Sequence, residues 1–106
     1  QVSNEDGTFF YLNSVASERL GIKQTEVHNY KVRDIEKIFE TEGAWEKHVA
    51  ELKEKRSLSV EGENVNRSNG HSFPVEVSVK YVQIGDQGFV IANSRDITQR
   101  KQAEQA

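Results

Sequence analysis

The 106-residue chain has no cysteine and no methionine, and only one proline and one tryptophan. Lacking cysteine, it has no disulfide, no thiolate metal site and no cysteine nucleophile. That composition fits a reducing compartment, and the cytoplasm is the expected location. The absence of Met, even at position 1, predicts a piece of a larger protein. No apolar run approaches the roughly 18 residues that span a bilayer, and no charged-then-apolar leader opens the chain, so no membrane contact is expected of this segment. Fourteen Lys and Arg are interspersed among 17 Asp and Glu, for a formal net charge of −3. Phosphate backbones find no basic field here, and nucleic acid is not an expected partner. No G-x-x-x-x-G-K-[ST] phosphate loop occurs.

What is present suits one small domain. Hydrophobic residues make up 35% and charged residues 29% of the chain, enough for one lean core over a sheet or a few helices. "NEDG", Asn4 to Gly7, is a turn signal and "TFFYLN" after it favours strand, so a first hairpin is expected. Asn13 or Ser14 can cap the short helix "SVASERL", and Gly21 can stop it. "YKVRDIEKIF" carries Val32, Ile35, Ile38 and Phe39 at helical spacing and predicts a turn or two of helix. The longest helical signal is Thr41 to Lys55, where Trp45, Val49 and Leu52 form an apolar stripe with His48 beside it.

From Leu58 the period changes to that of strands. "SLSVEGENVNR" is a polar strand candidate and "SNG", Ser68 to Gly70, a turn. "FPVEVSVKY" then alternates, with Phe73, Val75, Val77, Val79 and Tyr81 on one face. After the "GDQG" turn, "FVIA" is apolar at both parities, as in a strand covered on both faces, so this strand should be central. Past Thr98 almost nothing is apolar.

The order of these elements, with "EDGTFFYLNSVASERLG", "WEKHVAEL", "SNGHSFPVEVSV" and above all "SRDITQRKQAE", resembles a PAS domain with its C-terminal PAC segment. The resemblance covers essentially the whole chain. It implies an α+β fold, a five-stranded antiparallel sheet with short helices packed on one face and a pocket between them. Residues 1–98 would form the sensory domain and residues 99–106 the start of a connecting signalling helix. Such modules catalyse nothing themselves. They bind a small ligand or mediate dimerisation, and pass a conformational signal to a covalently attached output domain such as a two-component histidine kinase or a diguanylate cyclase. The competing readings are a ligand-free structural dimerisation module and, more remotely, a small enzyme.

By the family pattern the pocket lining is Val65, Val75, Val77, Val90, Ala92 and Ser94, completed by Tyr30, Trp45 and His48. The same residues serve equally as ordinary core. The resemblance argues against the two familiar prosthetic groups. The light-sensing flavin subclass needs a cysteine, and this chain has valines where amides would hold the flavin. In haem-binding members a histidine comes from the long helix, but Trp45 best matches that position and His48 is displaced by nearly a turn. No cofactor is therefore expected, and an unidentified small molecule is the candidate ligand.

His28, His48 and His71 are widely spaced, without the i, i+4 pair of a helical metal site. Glu61 and Glu63 share a strand parity, an arrangement that suits paired-carboxylate chemistry but is more often a solvated face. On the last strand Phe89 and Ile91 should point away from the helices, and a homodimer through that outer face would cover them. Arg95, Asp96, Ile97 and Thr98 form the expected signal relay. Asp96 or Thr98 can cap the following helix, and Asp96 has Arg95 or Arg100 as potential partners.

Overall fold

The turn at Asn4–Thr8 closes as its sequence predicts. Gly7 N–H donates to Asn4 O at 3.0 Å, and Asp6 Oδ1 accepts from Thr8 N–H at 2.9 Å. In this computed structural model, which describes residues 1–105, the turn joins β1 (Val2–Asn4) to β2 (Phe9–Tyr11). Helix α1 (Ser14–Leu20) is capped by Asn13, whose Oδ1 accepts from Ala16 N–H at 2.8 Å. Gly21 ends it at φ +66°, a left-handed conformation that glycine adopts without penalty.

Three 3-10 turns follow, at Gln24–Asn29, Val32–Asp34 and Lys37–Phe39. The first has no counterpart among the expected elements. The second and third are the turn or two of helix expected over "YKVRDIEKIF", in 3-10 rather than α form and separated by a break. Asp34 closes one turn by accepting from Lys31 N–H at 2.8 Å. Between the turns, Glu36 leaves helical geometry to form a β-bridge with Asn64, and a chain paired sideways to a strand cannot continue as helix.

Helix α2 (Ala44–Lys55) begins three residues later than the pattern from Thr41 implies, because Gly43 sits at φ +82° immediately before it. Its stripe of Trp45, Val49 and Leu52 is buried, and its C-terminus turns through Arg56, itself left-handed at φ 71°. Three strands complete the sheet, β3 (Ser57–Val65), β4 (Ser72–Ile84) and β5 (Gln87–Asp96), and α3 (Thr98–Gln105) leaves from β5.

The sheet is antiparallel in the order β2-β1-β5-β4-β3, with β5 at its centre as its doubly apolar sequence predicts. Strand alternation sorts its residues. Val75, Val77 and Val79 of β4 and Val90 and Ala92 of β5 are buried under α1, α2 and the 3-10 turns, where they meet Phe9, Leu12, Leu20, Ile35 and Leu52. This is the expected α+β arrangement. The opposite face carries Phe89, Ile91, Ser78, Lys80 and Glu76. Helix α3 attaches to that outer side through ion pairs from Arg100 to Glu61 and Glu76, so it does not join the helices on the inner face.

Candidate functional site

Between the helices and the inner face lies a cavity of about 30 Å³, room for one or two water-sized molecules. Side chains fill nearly all of the space, so a larger occupant must displace them. Trp45 and His48 contribute from α2, Val77 from β4, and Val90, Ala92 and Ser94 from β5. These are six of the nine residues expected to form a pocket.

The other three lie elsewhere. Val75 is fully buried but belongs to the core away from the cavity. Tyr30 is half-buried at the edge of the core, with the Arg67 guanidinium 5.9 Å from its ring centroid. Val65 has the wrong parity, because the inward residues of β3 are Leu58, Val60, Gly62 and Asn64, paired with the inward residues Val79, Val77, Val75 and Phe73. At the end of β3 it is Asn64, only 3% exposed, that lines the cavity.

Asn64 meets a residue that the strand and helix patterns do not single out. Glu36 is only 4% exposed and lines the cavity. Its Oε1 accepts from Glu63 N–H at 2.7 Å and from Ile38 N–H at 3.4 Å, and its Oε2 accepts from Asn64 Nδ2 at 2.7 Å. All three donors are neutral. The adjacent Lys37 turns outward instead, with Nζ 3.0 Å from Glu63 Oε1 and 3.3 Å from Ser72 Oγ. Burial pushes the Glu36 carboxyl above its ordinary pKa, only partly opposed by the hydrogen bonds that favour its charged form. Gly62 makes the site possible by having no side chain, since a Cβ there would lie 2.5 Å from Glu36 Oε1.

Three aromatic rings, Phe39, Trp45 and His48, line the same cavity and pack on one another. Phe39 packs edge-on against Trp45 at 5.1 Å between centroids, and His48 lies 4.9 Å from Phe39 and 5.7 Å from Trp45. Trp45 Nε1 is engaged by Glu5 O at 2.8 Å, which fixes the ring. Burial holds the His48 imidazole below its ordinary pKa, outweighing the opposing influence of Glu51. Burial thus favours the neutral ring of His48 in the cavity.

His28 and His71 are remote from these rings. His28 Nδ1 lies 3.1 Å from Phe9 O, and His71 is exposed in the turn before β4. Among the described residues no three His, Asp or Glu side chains are placed to hold a metal ion. Glu61 and Glu63 also separate, Glu63 to Lys37 and Glu61 to Arg100 and Lys101.

At the end of β5 the expected relay residues take distinct positions. Asp96 Oδ1 accepts from Thr98 N–H at 2.9 Å and from Thr98 Oγ1 at 2.5 Å, and the Thr98 hydroxyl is the first cause holding its carboxyl below the usual range. Ile97 is 2% exposed, and its N–H donates to Pro74 O at 3.0 Å, pinning the junction to β4. Neither arginine proposed for Asp96 pairs with it. Arg95 points outward, 3.8 Å from Glu76, and Arg100 bonds Glu76 at 3.2 Å and Glu61 at 3.1 Å. The reason is alternation, since Arg95 lies opposite Glu76 in the β4–β5 register.

The same register explains why α3 docks. Glu61 and Glu76 face each other directly across β3 and β4, and like charges so placed repel. Arg100 reaches both, and Lys101 adds a contact to Glu61 at 2.9 Å. Docking of α3 thus neutralises an acidic pair built into the sheet.

On the outer face Phe10 is 52%, Tyr11 51% and Ile91 36% exposed. Phe89 is half-buried because Phe10 packs edge-on against it, 5.4 Å between centroids.

Comparison with known proteins places this geometry. No curated protein matches the chain. The family description "PAS domain" matches residues 2–99. Among solved structures the chain is similar to a PAS domain of a two-component sensor histidine kinase, at 19% identity and TM-score 0.76, covering 90% of this chain and 80% of that one. A PAS domain of an HTR-like protein from Haloarcula marismortui gives 23% identity and TM-score 0.79, with 91% and 78% covered. One from Desulfitobacterium hafniense gives 22% and 0.72, with 90% and 88% covered. With the five-stranded sheet, the helices on its inner face and a family match over nearly all its length, the chain belongs to the PAS domain family.

Proposed function

We propose that this PAS domain is a non-catalytic sensory module, cytoplasmic in location, that senses a small molecule through its cavity and reports it through α3 to an attached output domain. One observation carries the reading. Strand β5 supplies Val90, Ala92 and Ser94 to the cavity and continues through Asp96, Ile97 and Thr98 into α3. A molecule that favours one arrangement of β5 shifts the population of the two states by its differential affinity for them. The ion pairs of Arg100 and Lys101 with Glu61 and Glu76 supply a docked state from which α3 is released or to which it is held. One structural neighbour is a PAS domain from a two-component sensor histidine kinase, which makes a kinase the first output to test, with a diguanylate cyclase second.

A second reading is favoured by the smallness of the cavity and by the exposed apolar surface of Phe10, Tyr11 and Ile91. It makes the domain a homodimerisation unit whose outer faces cover one another. Native mass spectrometry of the purified chain distinguishes the two. The sensory reading expects a small molecule bound in a saturable way, with Asp96→Ala altering regulation of the native output domain. The dimer reading expects an empty cavity and a dimer that Ile91→Glu disrupts. Unaltered regulation in Asp96→Ala would sink the relay.

A further inference from the structure

Glu36 is a buried carboxyl without a cationic partner. An ionised group removed from water is costly unless charge or hydrogen bonds compensate it. Here the compensation comes from Glu63 N–H, Ile38 N–H and Asn64 Nδ2. Oε2 takes only the Asn64 amide, which leaves one of its lone pairs open. Among the described residues no Lys or Arg side chain lines the cavity, and the nearest in sequence, Lys37, is held outside by Glu63 and Ser72. The other ionisable groups around the cavity are Glu63 on β3, already paired with Lys37, His48 on α2, whose neutral form burial favours, and the Gln1 α-amino group, which donates to Ala92 O at 2.9 Å and whose charged form burial disfavours.

The rest of the lining selects the same kind of guest. Phe39 and Trp45 both line the cavity and pack edge-to-face on each other, and a cation lying over an aromatic face gains about 0.5–2 kcal/mol depending on desolvation. An anion would be repelled by Glu36, and a neutral apolar molecule would leave that carboxylate uncompensated. The cavity of about 30 Å³ limits the guest to a water-sized ion or one slightly larger. Ile38, 42% exposed, forms part of the lining and also borders the surface cleft beside Glu63 and Lys101.

We propose that the cavity binds a small ammonium-type cation, ammonium or methylammonium, with Glu36 as its counter-charge and Phe39 and Trp45 as its aromatic lining. The proposal rests on the sensory reading above and deepens it by naming the ligand class. Because the cation requires ionised Glu36, its affinity rises with pH across the titration of that carboxyl.

The test is titration of the purified chain with methylammonium chloride at constant ionic strength, followed by amide NMR, with potassium chloride as the control cation. Saturable shifts at Glu63 and Asn64 are expected, with potassium giving none. Glu36→Gln keeps the size and the acceptor for Glu63 N–H, and should bind about tenfold or more weakly, the loss of one charge-assisted contact. Thermal melting checks that this variant is folded, and the pH dependence of wild-type affinity gives a measurement that needs no variant. Equal binding by folded Glu36→Gln, or an affinity independent of pH, overturns the proposal. A saturable neutral or anionic small molecule in place of methylammonium overturns it while leaving the sensory reading intact. No saturable small molecule of any of these classes overturns both.

Discussion

Gly62→Ala isolates the contact on which the cavity depends. The backbone at Gly62 is not left-handed, so alanine is conformationally acceptable there and only space is at issue. The new Cβ would lie 2.5 Å from Glu36 Oε1 and 2.7 Å from both Cδ and Oε2, closer than real Cβ contacts come. Glu36 must then withdraw and give up its 2.7 Å bonds from Glu63 N–H and Asn64 Nδ2. Overpacking costs about 1–3 kcal/mol, and each hydrogen bond to a charged group adds about 1.5–3 kcal/mol to what is lost. Removing a strand glycine returns about 0.5–1 kcal/mol, and escape of the carboxyl to water recovers part of its desolvation. The expected net loss is about 2–4 kcal/mol, a large share of the roughly 5–15 kcal/mol that holds a domain folded. Urea unfolding measures it as a lower midpoint at unchanged slope. In a Glu36→Ser background the same substitution should cost less than about 0.5 kcal/mol, because nothing remains to collide. An equal cost in both backgrounds would refute the reasoning.

Two further perturbations probe the charges. Burial raises the Glu36 pKa above its ordinary 4.5, so the folded state binds the proton more tightly than the unfolded one. Stability from this group is therefore greatest in acid and is lost as pH rises from about the ordinary carboxylate value through the raised one. The stability of Glu36→Gln relative to wild type should increase over that window in pH-resolved urea melts, and a flat difference would contradict the assignment. Arg100→Ala should unclamp α3 by leaving Glu61 and Glu76 to repel each other. Amide exchange should then quicken in α3 but not in β4, and about 1 M salt should have the same direction of effect on the wild type. Exchange in α3 that ignores both would remove the ion pairs from the mechanism.

How far the sequence reaches is clearest at β3 and Glu36. The inward set of β4 was legible because Phe73, Val75, Val77, Val79 and Tyr81 alternate without interruption. The inward set of β3 was not, because it contains Gly62 and Asn64, whose identities are set by a carboxyl that arrives from another part of the chain. The family pattern then pointed to Val65, one residue out of register. A local signal for Glu36 did exist, since Val32, Glu36 and Phe39 fall on one face at helical spacing. The chain there is not helical, though, and only the bridge to Asn64 shows why the residue is buried. The central place of β5 was legible because Phe89 and Ile91 are apolar beside Val90 and Ala92. Docking of α3 was hidden, since the acidic pair it meets is assembled by strand register between Glu61 and Glu76.

The central claim is that the state of the cavity is transmitted along β5 to α3. Ala92→Leu tests it most directly, because Ala92 is 7% exposed, lines the cavity and faces away from α3. A larger side chain there fills the cavity permanently while leaving every ion pair of α3 in place. Hydrogen exchange of the α3 amides should change by about tenfold, the equivalent of about 1.4 kcal/mol in the docking equilibrium. If β5 responds to the substitution and α3 exchanges as in the wild type, the cavity and the connector are not coupled and the account is wrong.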